Sequence, residues 1–231
     1  MKIQIYADGC NKNTIKSYLK GSLIKGFTTN PSILKKAKVK SYKSFALELS
    51  KLVKNKPISF EVTADNFENI YKQAKIISSW RKNIFVKIPI VNSKGKSNIK
   101  VIKKLYSEKI KLNITAVFTK KQIDDILNSI TQNVEMIISI FAGRIADTGI
   151  DPKLTIKYAL KKKGNKKIKI LWASAREIFN LYEADNVNCD IITLTDDLIS
   201  KIKFFKKNLK TYSTETSKKF FEDAKKIKFQ Y

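Results

Sequence analysis

Eight short runs of apolar, largely β-branched residues recur along this chain, and between them lie segments whose apolar residues repeat at helical spacing. The strand-like runs are Lys2–Ala7, Ile24–Thr28, Pro57–Val62, Ile84–Ile90, Leu112–Val117, Val134–Phe141, Lys167–Ala173 and Asp190–Leu194. The helix-like segments are Thr14–Leu19, Tyr42–Val53, Asp65–Ser78, Lys94–Lys109, Lys120–Ile130, Pro152–Leu160, Arg176–Ala184 and Asp196–Lys206. In Asp65–Ser78, Phe67, Ile70, Ala74 and Ile77 fall on one helical face. Strands followed repeatedly by helices predict a parallel sheet with right-handed crossovers. Eight such units predict closure into an α/β fold of the (β/α)8 TIM-barrel type, with an open doubly wound sheet as the alternative.

The 231 residues suit one such barrel without large insertions, since the fold typically takes about 250. Only seven glycines occur and no Pro/Gly/Ser-rich linker divides the chain, so residues 1–231 are expected to form a single domain, with 207–231 as a C-terminal helical extension. In that tail, Tyr212–Lys226 reads as an additional helix opened by Ser213-Thr214-Glu215-Thr216. Such a helix is expected to cover a surface or to meet a partner subunit in a homo-oligomer.

The formal charge is +27. The lysines are spread along the whole chain, and only Lys161–Lys163 with Lys166, Lys167 and Lys169 form a dense run, without interleaved aromatic residues. Solvated lysine faces are the expected reading, with no specific nucleic-acid surface and only weak attraction to polyanions. Histidine is absent, and Cys10 and Cys189 stand far apart. A Cys/His zinc site and a disulfide framework are therefore not expected, nor is any metal or organic cofactor. The N-terminus turns acidic at Asp8, too early for a signal peptide. No run approaches the ~20 apolar residues of a membrane span, so a cytoplasmic protein without a membrane partner is expected. Arginine is scarce: of 47 basic residues only Arg81, Arg144 and Arg176 are arginine. In a chain so enriched in lysine, a retained arginine points to a need for its planar fork.

In a parallel barrel, active-site residues sit at the C-terminal ends of the strands. The polar residues that interrupt or end the apolar runs are Asp8, Thr28 and Asn30, Glu61, Lys87, Asn113 and Thr115, Ser139, and Ser174 with Arg176. Glu61, Lys87, Asn113 and Ser139 are spaced by 26 residues, one βα repeat. Lys87 lies within Ile84-Phe85-Val86-Lys87-Ile88-Pro89-Ile90. An ammonium there is costly to bury unless paired or neutral, and a neutral amine is a nucleophile toward carbonyls. Each residue also has a plain alternative. Lys87 could face solvent at a strand edge, Asp8 could cap the first helix, Arg144 could be a loop residue after Gly143, and Arg176 could open a surface helix.

Taken together, these pieces resemble the transaldolases, particularly the short barrels that include fructose-6-phosphate aldolase. The resemblance runs from Ile3 to about Leu198. It is carried by Tyr6-Ala7-Asp8, Gly26-Phe27-Thr28-Thr29-Asn30-Pro31-Ser32, Ile58-Ser59-Phe60-Glu61-Val62, Val86-Lys87-Ile88-Pro89, Leu112-Asn113-Ile114-Thr115, Ser139-Ile140-Phe141-Ala142-Gly143-Arg144-Ile145 and Ala173-Ser174-Ala175-Arg176. The Thr-Thr-Asn-Pro-Ser and Val-Lys-Ile-Pro pieces, in this order, are the most specific.

The resemblance implies roles residue by residue. Lys87 would form a Schiff base with a donor ketose, and Asp8 would act as acid–base. Glu61 and Thr115 would shuttle protons with a water, while Asn30, Asn113 and Ser139 would hold donor hydroxyls. Arg144, Ser174 and Arg176 would grip the phosphate of sugar-phosphate substrates. In the related aldolases, tyrosine and glutamine match Phe141 and Glu61, so this chain carries the transaldolase pair. Thr28 is expected only to shape its strand end, and Asp147-Thr148-Gly149 to form a loop without chemistry. Two departures, Gly9-Cys10 after Asp8 and Ile140 before Phe141, bear on donor fit. Three readings follow: a transaldolase moving a dihydroxyacetone unit between sugar phosphates, a lytic aldolase releasing dihydroxyacetone, and a catalytically silent basic barrel that binds polyanions.

Overall fold

The computed structural model describes residues 1–130 and 133–227. Each of the eight predicted runs coincides with a strand, the first strand extending one residue past its run: β1 (Gln4–Asp8), β2 (Ile24–Thr28), β3 (Ile58–Glu61), β4 (Ile84–Pro89), β5 (Leu112–Val117), β6 (Met136–Ile140), β7 (Ile168–Trp172) and β8 (Ile191–Leu194). They pair in sequence order, all parallel, and β8 closes on β1. The fold is therefore a (β/α)8 barrel, and the open sheet is excluded. The helices are α1 (Lys12–Leu19), α2 (Pro31–Lys36), α3 (Tyr42–Leu52), α4 (Phe67–Trp80), α5 (Ile99–Ser107), α6 (Lys120–Ser129), α7 (Ala142–Ala146), α8 (Pro152–Lys163), α9 (Phe179–Asn186), α10 (Asp196–Lys201) and α11 (Leu209–Lys225). Among the described residues no helix is long and apolar enough to cross a membrane.

Strand residues alternate between the barrel interior and the surrounding helices. On β4, Val86 and Ile88 are fully buried, and the alternate positions, Phe85 and Lys87, belong to the interior. Below the polar C-terminal layer, Tyr6, Phe85, Ile137, Leu171, Ala173 and Ile191 form an apolar interior cluster, with Phe141 packed against it. Outside, α5 buries Val101, Ile102, Leu105 and Tyr106, and burying each large apolar side chain stabilises by about 1.5–3 kcal/mol.

Several helix boundaries differ from those expected, each for a local reason. Lys94–Asn98 is a turn rather than the start of α5: Asn92 accepts the N–H groups of Lys94 and Lys96, Gly95 adopts φ +72°, and Val91 bridges Ser97. Arg176 precedes α9 because the Asn180 side chain accepts the N–H groups of Arg176 and Glu177 in a tight loop. Asn11, not Asp8, caps α1. The segment read as Asp196–Lys206 ends its α-helix at Lys201 and continues as a 3-10 turn, Ile202–Phe204.

Met1–Ile199 is one compact unit, and the residues from Ser200 onward form a second. Within the second, α11 begins at Leu209 with Asn208 as its cap, four residues before Ser213. Thr214 and Thr216 lie inside this helix and donate back to Lys210 and Tyr212 carbonyls.

Candidate active site

Register brings the 26-residue series side by side. Glu61 pairs with Lys87 across β3 and β4, and Lys87 pairs with Asn113 across β4 and β5. All three lie at the same height; Glu61 and Lys87 line a cavity of about 440 Å³ at the C-terminal mouth of the barrel, and Asn113 is buried beside Lys87. Of the eleven residues expected there, Asp8, Asn30, Glu61, Lys87, Thr115, Ser139, Phe141, Arg144 and Ser174 line it. Asn113 and Arg176 are not part of its lining.

Lys87 is buried, with 7% of its surface exposed; it does not face solvent. Its Nζ stands 3.1 Å from Glu61 Oε2 and donates to the Thr29 carbonyl at 3.1 Å. A buried ion pair is tolerable only when its remaining donors and acceptors are also satisfied, and Thr29 supplies one such acceptor. The backbone carbonyl of Glu61 is held by Tyr42 Oη at 2.8 Å. Tyr42 packs edge-on against Phe60 and Trp80, with centroids at 6.1 and 5.8 Å, so α3 and α4 brace the strand that carries the carboxylate.

Asp8 ends β1 on the opposite wall. Thr28 Oγ1 donates to its Oδ1 at 2.8 Å and lies 2.7 Å from Thr193 Oγ1. Burial raises the Asp8 pKa, while the Lys87 charge and the Thr28 hydrogen bond oppose that rise and Glu61 and Asp196 add to it. Thr28 therefore does more than shape a strand end: its hydrogen goes to the carboxylate. Thr193 also lines the cavity and was not singled out from the sequence. The available signal was its position, a polar residue at the inward period of the apolar run Ile191-Ile192-Thr193-Leu194.

Asn113 is fully buried. Its Nδ2 donates to Ser59 Oγ at 3.0 Å and its Oδ1 accepts from Ser139 Oγ at 2.7 Å, so its amide is engaged within the barrel. Asn30 Oδ1 caps α2 by accepting Ile33 N–H at 3.0 Å, which leaves its amide N–H groups for the cavity it lines. Thr115 Oγ1 is buried, and among the described residues it has no hydrogen-bond partner. Such a group in a polar cavity is suited to a bound water or a substrate hydroxyl.

Arg144, Ser174 and Arg176 follow β6 and β7. Gly143 donates its N–H to the Ala173 carbonyl. A Cβ on Gly143 would lie 1.6 Å from the Ser174 carbonyl oxygen, so only glycine permits this approach of α7 to the β7 loop. Ser174 itself has φ +63°. The Arg144 guanidinium carbon sits 5.5 Å from the Phe141 ring centroid, and Phe141 contacts Phe118 at 5.7 Å. Arg176 turns its fork to Asp147: Nε donates to Oδ1 at 3.1 Å, and Nη2 donates to Oδ2. Asp147, read from the sequence as part of a loop without chemistry, thus holds one of the two arginines. Among the described residues no group of three or more Cys, Asp or Glu is disposed to hold a metal ion.

The chain matches the family model for Transaldolase/Fructose-6-phosphate aldolase over residues 5–231. It is 30% identical over 203 residues to a "Probable transaldolase" of Nitrosopumilus maritimus, covering 87% of each chain. It is likewise 30% identical over 202 residues to "Probable transaldolase 2" of Listeria monocytogenes, covering 87% of this chain and 88% of the relative. Solved barrels of similar shape include the orotidine 5'-monophosphate decarboxylase of Metallosphaera sedula (TM-score 0.54, 10% identity, 84% and 88% of the two chains covered). Another is 2,3-dimethylmalate lyase (TM-score 0.55, 7% identity, 97% and 84% covered). At these identities the solved structures speak for the fold alone.

Proposed function

Since the chain belongs to the transaldolase/fructose-6-phosphate aldolase family, a family of enzymes that act on sugar phosphates, we propose that it transfers a dihydroxyacetone unit between sugar phosphates through a Schiff base on Lys87. The observation that carries this reading is the buried amine of Lys87, 3.1 Å from Glu61, in one cavity with the Asp8 carboxylate.

The chemistry divides among these groups. Lys87 first passes a proton to Glu61, and its free amine then adds to the C2 carbonyl of the ketose donor. Glu61, with a water held by the unpartnered Thr115 hydroxyl, returns protons to the carbinolamine oxygen, which leaves as water to give the iminium. Asp8 takes the C4 hydroxyl proton, the C3–C4 bond breaks, and its electron pair flows into the iminium to give an enamine. The aldose phosphate departs, an acceptor aldose phosphate takes its place, and the steps run backward. Asn30 and Ser139 hold donor hydroxyls, and Asn113 fixes Ser139 through their 2.7 Å hydrogen bond. Arg144 and Ser174 bind phosphate, and Arg176 joins them after leaving Asp147.

The test is borohydride reduction in the presence of fructose 6-phosphate, followed by peptide mass analysis. A reduced dihydroxyacetone adduct on Lys87, absent in Lys87→Ala along with turnover, is expected. Labelling of another lysine, or unlabelled protein that remains fully active, would overturn the assignment. Absence of both labelling and turnover would favour the silent, polyanion-binding barrel.

A further inference from the structure

The barrel has a second concave face, at the N-terminal ends of its strands, where a cavity of about 650 Å³ opens. It is larger than the one around Lys87. Its floor is the apolar interior cluster, represented by Phe85 and Ile137. One polar group interrupts that floor. Tyr6 is 98% buried, being 2% exposed, and lines this cavity. A Cβ on Gly26 would meet the Tyr6 ring at Cζ, 2.5 Å away, so the glycine makes room for the tip of the ring. Glu135, another lining residue, acts on the phenol through its charge. Among the described residues its hydroxyl takes part in no hydrogen bond. Burial raises its pKa, so the group remains a neutral donor at physiological pH.

The walls are cationic beyond their internal needs. Lys25, Lys111, Lys166, Lys167 and Lys169 line the cavity, against Glu135 and Asp190. Both carboxylates are already engaged. Glu135 pairs with Lys111 at 2.6 Å, and Asp190 pairs with Lys163 at 2.6 Å and accepts the Ile170 N–H. Lys169 donates to Gln4 at 3.1 Å. Lys25, Lys166 and Lys167 have no ion-pair partner among the described residues. A concave apolar floor with one free donor and a rim of uncompensated ammonium groups is suited to an anion with a compact apolar body.

We propose that this N-terminal mouth is a second ligand site, separate from the Lys87 cavity, for a small phosphate ester. A phosphate oxygen accepts from Tyr6 Oη, the charge lies among Lys25, Lys166 and Lys167, and the ester's body rests on Phe85 and Ile137. The site does not depend on the reaction assigned to the other mouth. Its location, across the apolar layer from Asp8 on the same strand as Tyr6, makes the occupant a candidate effector rather than a substrate.

The experiment is calorimetric titration at constant ionic strength with phenyl phosphate and, separately, inorganic phosphate. Arg144→Ala is the background, which weakens any phosphate binding at the C-terminal mouth. One phenyl phosphate per chain is expected to remain, bound tighter than inorganic phosphate. Tyr6→Phe, which keeps the ring, should weaken it about tenfold, the loss expected for one hydrogen bond to a charged group. Lys166→Glu with Lys167→Glu should abolish it while leaving borohydride trapping at Lys87 unchanged. Lys218→Glu with Lys219→Glu, an equal charge change on α11, should leave it intact. Equal inorganic phosphate affinity would reduce the ligand to free phosphate and overturn the ester assignment. No binding in the Arg144→Ala chain, or equal weakening by the two charge-matched pairs, would overturn the site itself, the latter showing only the field of the whole molecule.

Discussion

The hydroxyls of Thr193 and Thr28 stand 2.7 Å apart, and Thr28 spends its single hydrogen on the Asp8 carboxylate at 2.8 Å. The bond between the two threonines must therefore be donated by Thr193 while Asp8 is ionised, giving a polarised chain from β8 through β2 to β1. The groups facing Asp8 are Lys87 from β4, Glu61 from β3 and Asp196 from α10, besides Thr28. Only Lys87 and Thr28 favour its charged form. In the proposed reaction Asp8 acts as a base when ionised, and its pKa is raised, so the acid limb of kcat should lie above the ordinary carboxylate range. Thr28→Val removes the direct donor and should move that limb to higher pH. Thr193→Val weakens the donor by one step and should move it less, by up to about one pH unit for a hydrogen bond of about 0.5–1.5 kcal/mol. Thr193→Ser should restore the profile. A uniform loss of kcat at every pH would assign Thr193 to packing alone.

The pairing of Arg176 with Asp147 predicts a competition. An exposed ion pair is worth about 0–1 kcal/mol, so a substrate phosphate can displace Asp147 at modest cost. Asp147→Asn should lower KM for fructose 6-phosphate by up to about fivefold and leave an unphosphorylated donor unaffected. Arg176→Lys should act in the opposite direction, because an ammonium lacks the fork. If Asp147→Asn instead raises KM for the phosphorylated donor, Asp147 orients the arginine rather than withholding it.

Gly143→Ala tests the joint between α7 and the β7 loop. The new methyl would overlap the Ser174 carbonyl oxygen, and backbone on both sides leaves little to give. Overpacking of this kind costs typically 1–3 kcal/mol, and in a chain of this size about 2–4 °C of melting temperature accompanies each kcal/mol. Thermal unfolding should therefore show a fall of several degrees. Since Arg144 and Ser174 ride on the two displaced segments, KM for phosphorylated donors should rise as well. An unchanged melting curve would mean that the loop relaxes freely.

The strands were legible because each is a short, mostly apolar run bounded by polar segments of helical period, and the 26-residue spacing of Glu61, Lys87, Asn113 and Ser139 registered the repeat directly. The two short helices were not. α2 buries only Leu34, and α7 is five residues long and contains Gly143, so neither has room to display a helical period. The residues of the candidate site could be picked out as polar interruptions, but not their partners. That Asn113 would spend its amide on Ser59 and Ser139, that Arg176 would turn to Asp147, and that Thr28 would serve Asp8 depend on contacts between elements 20 to 54 residues apart. Local pattern carries no information about them.

The fate of the enamine separates transfer from lysis. A lytic aldolase protonates it and lets water hydrolyse the resulting iminium, whereas a transferase leaves it until an aldose phosphate arrives. Phe141 lines the cavity, packs against the apolar interior cluster and contacts Phe118. A phenyl ring neither donates nor accepts a hydrogen bond of ordinary strength, so this wall gives water no foothold. Fructose 6-phosphate alone should therefore be cleaved slowly, and erythrose 4-phosphate should restore rapid turnover. Phe141→Tyr sets a hydroxyl at the same wall and should increase the ratio of released dihydroxyacetone to transferred product. Ile140, fully buried and absent from the cavity lining, should tolerate change with less effect on that ratio. The measurement is the partition between free dihydroxyacetone and sedoheptulose 7-phosphate in the presence of both sugars. If the unsubstituted chain releases dihydroxyacetone as fast as it transfers it, Phe141 does not exclude water and the lytic reading replaces the transferase one.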